Sequence, residues 1–161
     1  MSAEQRTMLA TFKYSPLQRD QRWIRVLKLR PYTFQDNSLS VELEDYNIDE
    51  DSRSTTSLDL YALSYVWGDE SSKRKIFCNG KVIEIGTNLY GALFSFSKQL
   101  KDSANIWADA ICINQQDAEE RNSQVLLMRD IYSRAKEVIS YLGEADSDTA
   151  QLASILSEPP S

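Results

Sequence analysis

The sequence predicts an α/β fold: a single domain with a mostly parallel central sheet flanked by helices, plus one β-hairpin. Three observations point there. Two strongly apolar runs, Leu60 to Trp67 and Ile106 to Ile113, have the length of buried strands and are followed by turn-forming or polar residues. Segments with helical apolar spacing alternate with them, as crossover helices over a parallel sheet do. Between them, Asn79-Gly80 separates two short β-rich runs. That is the strongest local hairpin signal, because both turn residues must accept positive φ.

Taken in chain order, residues 1–20 are polar and read as a flexible N-terminus. Residues 21–161 then form the domain. Trp23 to Arg30 partly alternates apolar and charged residues, the pattern of a half-buried strand, and Pro31 ends it. Val41 to Leu43 suits a short strand. The acidic, Ser/Thr-rich stretch from Asp45 to Asp59 reads as a solvated loop. The run Leu60 to Trp67 is the first central strand, closed by Gly68-Asp69. Lys75 to Cys78 and Lys81 to Ile85 are the hairpin arms. Thr87 or Asn88 is placed to cap a helix whose face carries Leu89, Ala92, Leu93, Phe96 and Leu100. Ile106 to Ile113 is the second central strand. Asp117 with Glu120 three residues on is a capping-box start for the next helix, with Val125, Met128, Ile131 and Tyr132 as its apolar face. Glu137 to Leu142 is a third strand, broken by Gly143. Ala150 to Leu156 suggests the start of a last helix.

Composition narrows the function. Eighteen Lys and Arg against 24 Asp and Glu give a net charge of −6, which disfavours nucleic acid, since affinity for phosphate backbones comes mainly from cations. The chain has no histidine. It therefore lacks the commonest general base and metal ligand, and Ser-His-Asp or Cys-His catalysis cannot be built from it alone. Two cysteines cannot make a zinc site by themselves, so no metal is expected. Cys112, in an apolar run, reads as a buried structural thiol. No run approaches the ~18 apolar residues of a membrane span, and no signal peptide is visible, so the expected location is cytoplasmic.

In open α/β sheets, ligands bind outside the carboxyl ends of the strands. Those ends carry Trp67-Gly68-Asp69, Asn114-Gln115 and Gly143-Glu144. Trp67, Gly68, Asn114, Gln115, Arg121 and Gln124 are the candidate binding residues, and Glu120, Asp109 and Glu144 the candidate catalytic carboxylates. Each also has a plain structural reading. Asp109 inside an apolar strand needs a partner, and Arg121 on the next helix is placed to supply one. Asn114 and Gln115 suit the strand-to-helix turn. Glu120 would complete a helix cap. Arg121 and Gln124 share a helix face, either toward solvent or in a polar network below the strand ends.

Three blocks resemble the HET domain, the module named for fungal heterokaryon incompatibility. They are Tyr61-Ala-Leu-Ser-Tyr-Val-Trp-Gly-Asp69, Asn88-Leu-Tyr-Gly-Ala-Leu93, and Ile106-Trp-Ala-Asp-Ala-Ile-Cys-Ile-Asn-Gln115 continued by Glu120-Arg121, Gln124-Val125, Ile131-Tyr132 and Leu142-Gly143-Glu144. The signature core is thus 61–144. Tyr141 stands where the family usually has tryptophan, and Ala108 where a larger apolar residue is usual. The resemblance implies a signalling or interaction module in fungal self/non-self recognition and programmed cell death, working through protein partners or self-association. Family members are usually several hundred residues long, so the resemblance leaves three expectations open: a fragment, a shortened paralogue or a naturally minimal form. HET domains are thought to be distantly similar to TIR domains, some of which cleave NAD with a glutamate. That likeness implies an alternative: a hydrolase of the nicotinamide–ribose bond, with NAD as its substrate.

Overall fold

The computed structural model describes residues 10–19, 21–33, 39–49, 57–68, 71–144 and 150–155, with side chains up to Gly143. The strands are β1 (Trp23–Leu29), β2 (Ser40–Asn47), β3 (Leu58–Tyr65), β4 (Lys73–Cys78), β5 (Lys81–Gly86), β6 (Ala104–Trp107), β7 (Ala135–Glu144) and β8 (Ala150–Ile155). The helices are α1 (Thr87–Gln99), the single turn α2 (Asp109–Cys112) and α3 (Ala118–Arg134). One sheet holds all eight strands in the order β5-β4-β2-β1-β6-β3-β7-β8.

The sheet is mixed and mostly antiparallel, not mostly parallel. Strands β6, β3 and β7 run parallel as neighbours, as expected of strands joined through helices. The antiparallel pairs are β1–β2, β1–β6, β4–β5 and β7–β8, and β2–β4 is parallel. The difference comes from β8, which pairs with β7 where a helix was expected, and from β1. Its alternating sequence suggested a half-buried strand, yet it lies mid-sheet with Ile24 through Leu27 and Leu29 all buried, Arg25 included. Asp45 to Asn47, expected in a loop, extend β2 opposite β1, while 50–56 of that stretch lie outside the described residues.

The hairpin forms where Asn79-Gly80 places it. Asn79 has φ +52° and Gly80 φ +76°, and the Asn79 amide also clasps Leu43 through N–H···Oδ1 (2.9 Å) and Nδ2–H···O (3.3 Å). Helix α1 starts one residue earlier than a Thr87 cap would require. Gly86 is the N-cap, without a side-chain bond, and the Asn88 amide instead donates to the Val66 carbonyl (2.9 Å). Leu89, Ala92 and Leu93 are buried as expected.

The apolar run Ile106 to Ile113 is not one strand. Pairing with β1 and β3 ends at Trp107, and the chain turns into α2, with the Cys112 N–H bonding the Ala108 carbonyl at 2.8 Å. Ile111, Cys112 and Ile113 remain buried. A short apolar run records burial, and strand and helical turn satisfy it equally. In α3 the buried face is rotated from the expected one. Gln124 and Ile131 are buried, Leu127, Met128 and Tyr132 are partly buried, and Val125 is exposed. Residues 150–155 form β8, not a helix, and pair antiparallel with β7. No helix among the described residues is long and apolar enough to cross a membrane.

Candidate functional site

Glu120 lies in the first turn of α3, and the Asp117 side chain accepts its backbone N–H at 3.1 Å. The expected reciprocal half of the capping box is missing, because the Glu120 carboxylate points elsewhere. Oε1 accepts from Arg25 Nη2 at 2.6 Å, Oε2 from Arg25 Nη1 at 3.0 Å, and Oε2 also from the Asn114 N–H at 2.5 Å. The two side chains are only 4% and 10% exposed. Arg25 also donates to the carbonyls of Cys112 (3.1 Å) and Ser15 (2.9 Å), and its guanidinium lies 4.8 Å from the Tyr14 ring centroid. Tyr14 donates its hydroxyl to the Ile111 carbonyl at 2.7 Å. This knot ties β1, the segment before it, α2 and α3 together. The bidentate fork and saturated lone pairs are what a buried ion pair needs to offset its desolvation.

Asp109 does not meet Arg121. Its Oδ1 accepts from Trp67 Nε1 at 3.3 Å, joining the first residue of α2 to the end of β3. Burial raises the Asp109 pKa, opposed by the indole bond. Arg121 is exposed and reaches only the Gln115 carbonyl, at 3.3 Å. Gln115 Nε2 donates to the Asp109 carbonyl (2.8 Å), and Asn114 Oδ1 accepts the Gln116 N–H (3.2 Å), so both amides shape the turn between α2 and α3. Gly68 has φ +71°, and a Cβ there would sit 2.6 Å from Asn88 Nδ2. Only glycine suits that backbone and that approach.

A cavity of about 670 Å³ opens beside this rim. Its lining includes Tyr65, Trp67, Asn114 and Gln115, the end of β5 (Ile83 to Gly86), and Phe12 and Tyr14. Lys13, Lys73 and Glu84 bring charge. The Tyr65 hydroxyl is buried without a hydrogen-bond partner among the described residues, and burial, with Asp109 nearby, raises its pKa. The size suits a small ligand or a few residues of peptide. No group of three or more metal-ligating side chains occurs among the described residues.

The structure therefore gathers Trp67, Asn114 and Gln115 at one cavity, with Gly68 following Trp67, Asp109 bonded behind Trp67 and Glu120 buried behind Asn114. Gln124 is elsewhere: it is buried and donates Nε2 to the Trp23 carbonyl at 2.9 Å. The backbone of Glu144 ends β7, and its side chain lies outside the described residues. Arg25, Tyr14 and Tyr65 were not legible as site residues. An arginine between Ile24 and Val26 looks like the solvent side of an alternating strand, and only sheet order buries it.

A family model described as "Heterokaryon incompatibility protein (HET)" matches residues 61–159. "Heterokaryon incompatibility protein 6, OR allele" of Neurospora crassa is 38% identical over 109 residues, which is 60% of this chain and 16% of that protein. The chain thus corresponds to a small part of this curated relative's length. No solved structure matches.

Proposed function

The chain belongs to the heterokaryon incompatibility (HET) family, and on that premise we propose that it is a signalling and interaction module in fungal self/non-self recognition, coupled to programmed cell death. The observation that carries this reading is the engagement of two of the three candidate carboxylates, Glu120 and Asp109. Glu120 is held by Arg25 and the Asn114 N–H, and Asp109 by the Trp67 indole. A group so committed fixes the fold and is poorly placed to stabilise charge on a substrate. The rim beside them is apolar and open: Val66 is 71% exposed, Trp67 40% and Leu142 74%. Val66 and Leu142 follow the paired residues Tyr65 and Tyr141, so they neighbour each other across β3 and β7. Such a patch suits contact with a protein partner or a second copy.

Inducible expression in a filamentous fungus tests this. Wild-type chain is expected to arrest growth, and Trp67→Ser or Leu142→Ser, checked for an unchanged Tm, to abolish the arrest. Growth unaffected by the wild-type chain, or arrest indifferent to both substitutions, would contradict the proposal.

A further inference from the structure

The β5 edge is half occupied. Among the described residues the N-terminal segment runs parallel to it and pairs at a single point: Val82 N–H donates to the Ala10 carbonyl (2.9 Å), and Phe12 N–H donates to the Val82 carbonyl (2.8 Å). The chain then leaves β5, since Tyr14 bonds Ile111 and the Ser15 carbonyl bonds Arg25. Backbone groups alternate sides along a strand. Because Val82 faces the N-terminal segment, Lys81, Ile83 and Ile85 face β4, and Glu84 presents its N–H and C=O on the same open side as Val82. The bridge to the N-terminal segment stops one step short of Glu84. Glu84 lines the cavity together with Trp67 and Gln115.

We propose that this edge and cavity capture an extended acidic peptide, which adds to β5 where the N-terminal segment departs. The N–H and C=O of Glu84, unpaired among the described residues, supply the main-chain pair that β-strand addition uses, and the cavity receives a side chain pointing off the added strand. Charge sets the class of peptide. The register places Lys73 and Lys75 on the Glu84 face of the hairpin and Arg74 and Lys81 on the other, and the charged residues lining the cavity are Lys13, Lys73 and Glu84. Two lysines against one glutamate make the cavity locally basic on a chain of net charge −6, which favours a ligand with Asp or Glu beside an apolar or aromatic residue. Phe12, Tyr14 and Trp67 would flank that residue.

The proposal rests on the interaction-module reading, and its test is separate from the growth assay. A randomised octapeptide library displayed on phage is panned against the full chain, and enriched sequences are remade as synthetic peptides. Enrichment of acidic-aromatic peptides that slow hydrogen exchange at the Glu84 amide is expected. Lys13→Glu/Lys73→Glu should weaken their binding at least tenfold. Glu84→Pro should abolish it with little change in Tm, because the lost N–H bonds no strand, whereas Glu84→Gln should retain it. Peptides N-methylated at alternate amides should lose binding in one of the two registers. No enrichment, enrichment of basic peptides, or binding indifferent to Glu84→Pro would overturn the proposal. So would a mixed-sequence oligonucleotide binding the hairpin more tightly than any selected peptide. Peptide capture without growth arrest would leave this inference standing and sink the functional reading alone.

Discussion

Replacing Glu120 with alanine strands a buried cation. Arg25 would lose both bonds to the carboxylate, at 2.6 and 3.0 Å, while only 4% of its side chain reaches solvent. The Asn114 N–H would lose its acceptor as well. Removing one partner of a buried ion pair costs about 3–5 kcal/mol. Against a total stability of about 5–15 kcal/mol, that is a large fraction. With a urea m-value of about 2 kcal/mol per M, the unfolding midpoint should fall by about 2 M. Arg25→Met should cost a similar amount, because it leaves the carboxylate buried. The double variant Arg25→Met/Glu120→Leu should cost less than the two singles together, with a coupling energy of about 3 kcal/mol. Urea denaturation of the four proteins of the cycle, followed by far-UV circular dichroism, measures this. A Glu120→Ala cost below about 1 kcal/mol, or additive singles, would refute the reading of the pair as a structural clamp. The result also governs how activity data are read, since a Glu120 variant that loses function through unfolding looks like one that loses a catalytic acid.

Other expectations follow from the same geometry. Gly68→Ala and Gly80→Ala both force alanine to positive φ, at about 1 kcal/mol each. Gly68→Ala should cost about 1 kcal/mol more, because its Cβ would displace the Asn88 amide from Val66, whereas nothing lies within 4 Å at Gly80; equal losses in thermal melts would contradict this. Asp109 has a raised pKa in the fold, so the folded state holds more protons than the unfolded one just above the ordinary carboxylate range. Its contribution to stability is therefore greatest at acid pH and is lost as pH rises through the raised value. Asp109→Asn should remove that component from a Tm-against-pH curve, and an unchanged curve would count against it. Burial pushes the Cys112 thiol up to about 12 and Cys78 to about 11. Native protein at pH 8 should react slowly with a disulfide reagent and release two equivalents in urea, and a fast native burst would contradict the burial of both.

Local chemistry made part of this fold legible. The Asn79-Gly80 hairpin, strand β3, the apolar face of α1 and the Asp117 start of α3 are set by residues within a few positions of one another. What escaped depends on sheet order. The pattern Trp23 to Arg30 cannot say which strands flank β1, so both its central place and the burial of Arg25 were hidden, and with them the antiparallel pairs β1–β2 and β1–β6. The run Ile106 to Ile113 recorded burial without saying that half of it is a helical turn. The rim was better read than its wiring. Trp67, Asn114 and Gln115 do converge, but the partners of Asp109 and Glu120 are an indole and an arginine distant in sequence.

In the function proposed above, the carboxylates under this rim hold the fold together and the surface works by contact. Nicotinamide release from NAD, measured with the full chain at high concentration, tests it most directly. No release above the buffer blank is expected. Steady release that Glu120→Gln or Asp109→Asn removes while Tm is preserved would contradict it.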